Sequence, residues 1–123
     1  MASNGTWTII FEDKKITKKN GLESGTSYVI NDNNFWNQSK FNNIWAIQYG
    51  TSNSSDEVEY RDNTPHSTFA EANIGAISDF TAKWDLAHLA QLQADWDNDN
   101  VEGETAEEKV TRLGARPTTY SSL

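Results

Sequence analysis

The residues with the clearest ligand-like spacing are three alternating aspartates near the C-terminus. Asp95, Asp97 and Asp99 match the acidic ligands that open a calcium loop of the EF-hand type. The position that needs glycine for the sharp turn holds Asn100, and the position of the closing bidentate glutamate holds Ala106. Because both shaping features are missing, the sequence favours a polar helix end that runs into a solvated linker over a calcium site.

The histidines and paired carboxylates do not form a catalytic pattern. His66 follows a proline and His88 falls in a predicted helix, and neither has the spacing of a metal-binding motif. Glu57 and Glu59 share one face of a predicted strand, but surface acids on a hairpin routinely give that arrangement. The chain contains no glycine-rich phosphate loop and no GxSxG turn. We therefore predict a protein with no enzymatic activity, no metal site and no cofactor.

Length and composition indicate one small domain rich in aromatic rings. The chain has 123 residues with five tryptophans, five phenylalanines and four tyrosines, so large rings must supply most of the buried area. It has no cysteine, which excludes disulfides and thiolate metal ligands. No apolar run approaches the ~20 residues that cross a bilayer, and the first residues lack the apolar core of a secretion signal. These features predict a protein used inside a cell, without a membrane partner.

The net charge of −8 is concentrated in the second half of the chain. Residues 1–50 carry five lysines against four acids, a net +1, whereas residues 51–123 carry fourteen acids against five bases, a net −9. A solvated acidic surface that keeps the protein soluble explains this balance. A sharper alternative is mimicry of nucleic-acid phosphates. Direct binding to nucleic acid is not expected, because the basic cluster at residues 14–19 is short.

Alternating apolar and polar residues predict a small antiparallel sheet. The first strand covers residues 6–11, and a lysine-rich exposed or edge strand follows and ends at the Asn20-Gly21 turn. A further short strand covers residues 27–32. The apolar side of the first strand consists of Trp7, Ile9 and Phe11.

The clearest element is a hairpin over residues 44–62, in which two alternating runs flank the small polar loop TSNSS. In its first strand, a period of two places Trp45, Ile47 and Tyr49 on one face and Ile44, Ala46 and Gln48 on the other. We predict that Trp45 anchors the sheet, so that its replacement by alanine strongly destabilises the fold.

A long helix is predicted to pack on this sheet. Ser78 is its predicted N-cap, and its apolar stripe, which we expect to face the sheet, consists of Ala82, Leu86, Leu89, Leu92 and Trp96. Phe80, Trp84 and His88 lie on nearly the opposite side of the helix. Two alternatives follow: burial under the loop of residues 66–77, or a protein interface centred on Trp84 and including Phe80 and His88.

Capping signals predict two further, shorter helices. Asp32 is placed to cap a brief helix that presents Phe35, Trp36 and Phe41. Near the C-terminus, Thr105 and Glu108 form a capping box that opens a helix, and Gly114 ends it.

The predicted fold is α+β, with about four antiparallel strands, the long helix on one face and the short C-terminal helix beside it. We assign residues 1–97 to this domain. Residues 98–123 are expected to form an acidic linker, the short helix and an extended tail.

The strand Trp45-Ala46-Ile47-Gln48-Tyr49 is followed by a strand with Glu59-Tyr60 and then by an Asp-rich turn. This order of elements resembles small proteins encoded by tailed bacteriophages, notably phages of marine cyanobacteria. In that group, a strand with the pattern aromatic-Ala-Val/Ile-Gln-Trp/Tyr is followed by a Glu-Tyr strand and an Asp-rich turn. The resemblance covers roughly residues 6–96. The matching positions are Trp45, Ala46, Ile47, Gln48, Tyr49, Glu59, Tyr60, Asp62 and Pro65.

Similar proteins are associated with virion structure or with tail and tail-fibre assembly. The resemblance therefore implies a non-enzymatic protein, in the virion or the host cytoplasm, that contacts other phage proteins or copies of itself. Two other hypotheses stay open. One is a phage-encoded inhibitor that binds a host protein through its acidic surface, and the other is a small hydrolase or binding enzyme without a visible motif.

Overall fold

The computed structural model describes residues 7–19, 23–50 and 56–122. It confirms the α+β class, with five antiparallel strands, one more than the sequence predicts. The Asn20-Gly21 turn and the TSNSS loop lie outside the described residues. In the spatial order β3-β2-β1-β4-β5, the strands are Ser27–Val29 (β3), Lys15–Lys18 (β2), Trp7–Ile10 (β1), Ile44–Tyr49 (β4) and Glu57–Tyr60 (β5).

Four α-helices are present in the described residues, and none of them is long and apolar enough to cross a membrane. They are Asn33–Trp36 (α1), Phe69–Ala72 (α2), Ile77–Asn98 (α3) and Ala106–Leu113 (α4), and a short 3-10 helix covers Ser39–Phe41.

One face of the sheet forms the core. The strand registers align a buried row across it, and the predicted apolar side of β1 is confirmed as part of this face. The lysine-rich β2 is not an edge strand, because β3 pairs on its outer side, and the side chain of Lys18 is fully buried. In strand order, the row consists of Tyr28, Ile16, Ile9, Ile47 and Val58.

Aromatic rings fill the core beside this row. Asp32 caps α1 as predicted, since its carboxylate accepts a hydrogen bond from the backbone N–H of Phe35 at 3.1 Å. The indole of Trp36 donates to the carbonyl of Ile30 at 2.8 Å, which satisfies its polar atom inside the core. Edge-to-face ring contacts at 5.0–6.0 Å connect Phe11, Phe35, Trp36, Phe41 and Phe80.

The segment before α3 contains a helix that the sequence reasoning missed. Thr68 and Glu71 form a reciprocal capping box that starts α2, a Thr-x-x-Glu signal that is visible in the sequence. Phe69 and Ile74 of this segment are buried in the core, and Ile77 packs against it.

The long helix α3 begins two residues earlier than predicted. Ala76, and not Ser78, occupies the N-cap position. The carboxylate of Asp79 accepts a hydrogen bond from the backbone N–H of Ala76 at 3.2 Å and so replaces a side-chain cap. Ser78 therefore lies within the first turn.

The C-terminal segment packs back onto α3. Thr105 and Glu108 cap α4, and Gly114 ends it, as predicted. Beyond α4, the side chain of Gln93 donates to the carbonyl of Pro117 at 2.9 Å. The tail thus lies along α3, where Tyr120 reaches the helix residue His88.

Candidate interaction surface

The face of the sheet opposite α3, which we call the outer face, is built by alternate residues of all five strands. The buried side chains of α1, α2 and α3 join the core on the other face, and α4 contacts α3 where the ammonium of Lys109 lies 4.0 Å from the Trp96 ring centroid. In strand order from β3 to β5, two rows cross the outer face: Ser27, Thr17, Thr8, Gln48 and Glu57, then Val29, Lys15, Ile10, Ala46 and Glu59.

A β-bulge places Trp45 on this outer face. Ile44 and Ile47 both belong to the core although they are three positions apart, which a regular period of two does not allow. The register between β4 and β5 shifts between Ile44 and Ala46, so Trp45 and Ala46 both lie on the opposite face. The side chain of Trp45 is 42% exposed. The prediction that Trp45 anchors the sheet is therefore wrong.

The phage-like motif residues divide between the two faces. Gln48 and Glu59 lie on the outer face with Trp45, and the Gln48 side-chain oxygen accepts a hydrogen bond from the Thr8 hydroxyl at 2.8 Å. Tyr49 and Tyr60 pack against the core. Of these five motif side chains, three belong to the outer face and two to the core side.

Charge is uneven across the outer face. Lys15 lies on β2, whereas Glu57 and Glu59 lie together on β5. The ring of His66 is 2.9 Å from the Glu57 carboxylate, and this hydrogen bond raises the pKa of His66 above its ordinary value. The β5 side of the face is acidic when His66 is neutral.

Trp84, Phe80 and His88 lie in the core, which contradicts their assignment to a protein interface. Trp84 is 0% exposed, and its ring makes edge contacts with Trp7 and Tyr28, both at 5.5 Å. Its indole N–H donates to the carbonyl of Thr26 at 3.1 Å. These side chains cannot reach a partner while the domain is folded.

The predicted apolar stripe of α3 is correspondingly not the face that packs on the sheet. Leu86 is 64% exposed, Ala82 is exposed, and Leu89, Leu92 and Trp96 are only partly buried. The helix is oriented by its aromatic side because each large ring buries ~150–250 Å², far more than an alanine or a leucine.

Beneath the tail, His88 belongs to a polar network that links four elements. The Tyr28 hydroxyl lies 2.6 Å from His88 Nδ1, and the ring of Tyr120 contacts the His88 ring edge-on at 4.5 Å. The Tyr120 hydroxyl donates to Glu23 at 2.5 Å, and the Lys18 ammonium is 3.4 Å from the same carboxylate. The hydrogen bond from Tyr120, supported by Lys18, holds the pKa of Glu23 below its ordinary value.

This network joins the tail to the core, with Lys18 and His88 buried and Glu23, Tyr28 and Tyr120 half-buried. Burial raises the pKa of Tyr120 and of Tyr28, so both phenols stay protonated and can donate. No sequence signal could have found the network, because Glu23 and Tyr120 are 97 positions apart.

The acidic segment that resembles a calcium loop is engaged by arginines. Arg116 forms two hydrogen bonds with the Asp97 carboxylate at 2.9 and 3.0 Å, and these lower the pKa of Asp97. Arg112 bridges Asp99 and Glu104 at 2.9 and 2.8 Å. In the described part of the chain, no group of three or more acidic, histidine or cysteine side chains is placed to hold a metal ion.

Comparisons with protein-family models, curated proteins and solved structures find no match for this chain.

Proposed function

We propose that this chain is a non-enzymatic virion structural or tail assembly protein of a tailed bacteriophage, which acts through protein–protein contacts on its outer face. The observation that carries this proposal is the 42% exposure of Trp45 on the sheet face opposite the buried side chains of α1, α2 and α3. Large rings are the side chains that most often dominate binding energy at protein interfaces. A tryptophan held in solvent by a bulge lowers solubility without adding to the core, so a binding role accounts for its position.

The surroundings of Trp45 have the composition of a protein contact. Ile10 and Ala46 lie side by side next to Trp45 on the outer face, and polar side chains such as Gln48 flank them. Glu57 and Glu59 give one side of the face a negative charge, which favours a partner with a basic patch.

The phage assignment rests on the motif resemblance, and the outer face gives part of that motif a physical role. Trp45, Gln48 and Glu59 occupy motif positions and lie on the same face. A surface that must contact another protein constrains such exposed positions, whereas core packing alone does not.

The alternative, an inhibitor that uses its acidic surface against a host protein, is less well supported. Arg112 and Arg116 pair with Asp97, Asp99 and Glu104 within the chain and offset two of these three negative charges. These pairs reduce the negative charge that a phosphate mimic would present near the C-terminus.

Mass spectrometry of purified virions tests the proposal. We expect the wild-type protein in particles, and we expect Trp45→Ala to reduce its incorporation at least about tenfold. Val110→Ala is the matched control, because Val110 is similarly exposed on α4 and its loss should leave incorporation unchanged. Absence of the wild-type protein from particles, together with its recovery on a host protein, would favour the inhibitor instead.

A further inference from the structure

The two edges of the sheet differ in whether their backbone groups are paired. At the β5 edge, Ser67 forms a bridge with Val58, with backbone hydrogen bonds of 2.7 and 3.2 Å. At the β3 edge, Ile30 N–H donates to Lys14 O, and Lys18 N–H donates to Thr26 O. These two bonds identify which residue pairs between β2 and β3 are hydrogen-bonded.

The backbone groups of Ser27 and Val29 point away from β2. In an antiparallel pair, hydrogen-bonded and non-hydrogen-bonded positions alternate along each strand. Because Thr26 and Ile30 are hydrogen-bonded to the β2 side, Tyr28 between them is a hydrogen-bonded position as well. Ser27 and Val29 are therefore non-hydrogen-bonded positions, whose N–H and C=O groups point outward. In the described residues, no backbone partner meets them there. An open strand edge of this kind is a site for pairing with another strand.

An apolar patch coincides with this open edge. Val29 is 54% exposed and Leu86 on α3 is 64% exposed, and both line a shallow surface cavity of about 290 Å³. The charged side chains in the cavity wall, Lys83 and Asp32, neutralise each other through a 2.7 Å ion pair. Although the chain carries a net charge of −8, this patch is close to neutral.

We propose that two copies of this chain associate through β3, which pairs antiparallel with its own copy about a two-fold axis at Tyr28. In this register, Ser27 of one copy faces Val29 of the other, and the outward groups form four backbone hydrogen bonds. The two sheets become one continuous ten-stranded sheet. The contact is isologous, so the same strand edge and the same apolar patch serve both copies.

The position of α3 indicates that the strand pairing with the β3 edge belongs to a second copy of this chain. The helix packs over β2 and β3, so its axis lies about one strand spacing, ~4.8 Å, from the proposed two-fold axis. Pairing of the strands therefore brings the two α3 helices to about 10 Å, the distance at which helices pack. The flank that carries Leu86 borders the β3 edge, as the shared cavity with Val29 shows.

The contact area is that of a weak, concentration-dependent dimer. The 22 residues of α3 span about 33 Å, and a helix layer about 10 Å deep contributes roughly 330 Å² per copy. The three-residue strand β3 spans about 10 Å and contributes roughly 100 Å² through a sheet layer of similar depth. The buried surface is then roughly 430 Å² per copy, or about 860 Å² in total, in the range of weak interfaces.

Sedimentation equilibrium of the full chain tests the proposal. We expect a wild-type dimer, and we expect Val29→Pro and Leu86→Lys each to raise the dissociation constant at least about tenfold. Val29→Pro removes an outward N–H that makes no bond to β2, so the strand should tolerate it. Val110→Lys on α4 and Trp45→Ala on the outer face are the controls and should leave dimerisation unchanged, which separates this interface from the proposed virion contact.

Hydrogen exchange gives a readout that needs no variant. The amides of Ser27 and Val29 should become protected as protein concentration rises, while exposed amides of α4 should not. A wild-type chain that is monomeric throughout the micromolar range, or a dimer in which these two amides exchange freely, would overturn the proposal.

Discussion

Trp84 and Trp45 lie on opposite faces of one sheet and differ in almost every respect. Trp84 is fully buried between α3 and the sheet and has a hydrogen-bond partner for its indole N–H. Trp45 projects from a bulge on the outer face, where 42% of its surface is exposed. The same residue type thus supports the fold on one face, whereas on the other we propose that it supports binding. A bulge turns Trp45 to the outer face, whereas the large area that its ring buries holds Trp84 in the core.

The largest effect on folding stability is expected from removing the buried ring of Trp84. Trp84→Ala should lower the free energy of unfolding by about 3–5 kcal/mol, because it leaves a large cavity between α3, β1 and β3. Chemical denaturation measures this loss. A midpoint that stays unchanged would mean that α3 does not pack on the sheet through its aromatic side.

A medium, pH-dependent effect on folding stability is expected from the hydrogen bond between Tyr120 in the tail and Glu23. Glu23→Gln should cost about 1–2 kcal/mol at neutral pH, because the Tyr120 hydrogen bond to a charged acceptor becomes one to a neutral group. Since the pKa of Glu23 is lowered in the fold, the wild-type advantage is present above the ordinary value of 4.5 and disappears as pH falls through the lowered pKa.

Unfolding curves of both proteins between neutral and acid pH measure this difference. Glu102→Gln is the control for the loss of one surface carboxylate, because Glu102 is exposed and lies outside the helices and strands. A difference between wild type and Glu23→Gln that stays constant down to the most acid pH would contradict the assigned role of the Glu23 charge.

A small effect on stability is expected at the exposed ring. Trp45→Ala should change the free energy of unfolding by less than about 1 kcal/mol, because the ring does not belong to the core cluster. Chemical denaturation of Trp45→Ala and Trp84→Ala under the same conditions compares the contributions of the two rings to stability. Equal losses of unfolding free energy in the two variants would show that the two rings do not differ as proposed.

No effect is expected from calcium. Millimolar calcium should leave the melting temperature unchanged, because Arg116 and Arg112 already occupy the carboxylates of Asp97 and Asp99. Thermal denaturation with calcium, and with magnesium as the comparison cation, tests this expectation. A rise that increases with calcium concentration would show that the ion displaces the arginines.

Strands and caps were predictable from the sequence because they depend on local patterns. The period of two located β1, β4 and β5, and capping chemistry located the starts of α1 and α4 at Asp32 and Thr105. The same reasoning failed at Trp45, because one bulged residue inverts the faces of all residues before it.

The orientation of α3 was not predictable from its apolar stripe. The stripe contains more aliphatic residues, but the opposite side contains the larger rings of Phe80 and Trp84, and the sheet packs against those. The interface prediction failed for the same reason. The tail contact between Tyr120 and Glu23 depends on tertiary structure alone, so no local pattern indicates it.

The proposed contact of Trp45 with a phage protein can be tested directly by site-specific photo-cross-linking. A benzophenone amino acid replaces Trp45 in one variant and Val110 in a second, since both positions are exposed and lie on different surfaces. After irradiation of assembling particles, we predict adducts with a virion protein from position 45 and none from position 110. If position 45 gives no adduct with a phage protein while the chain is present in particles, the outer face is not the contact surface.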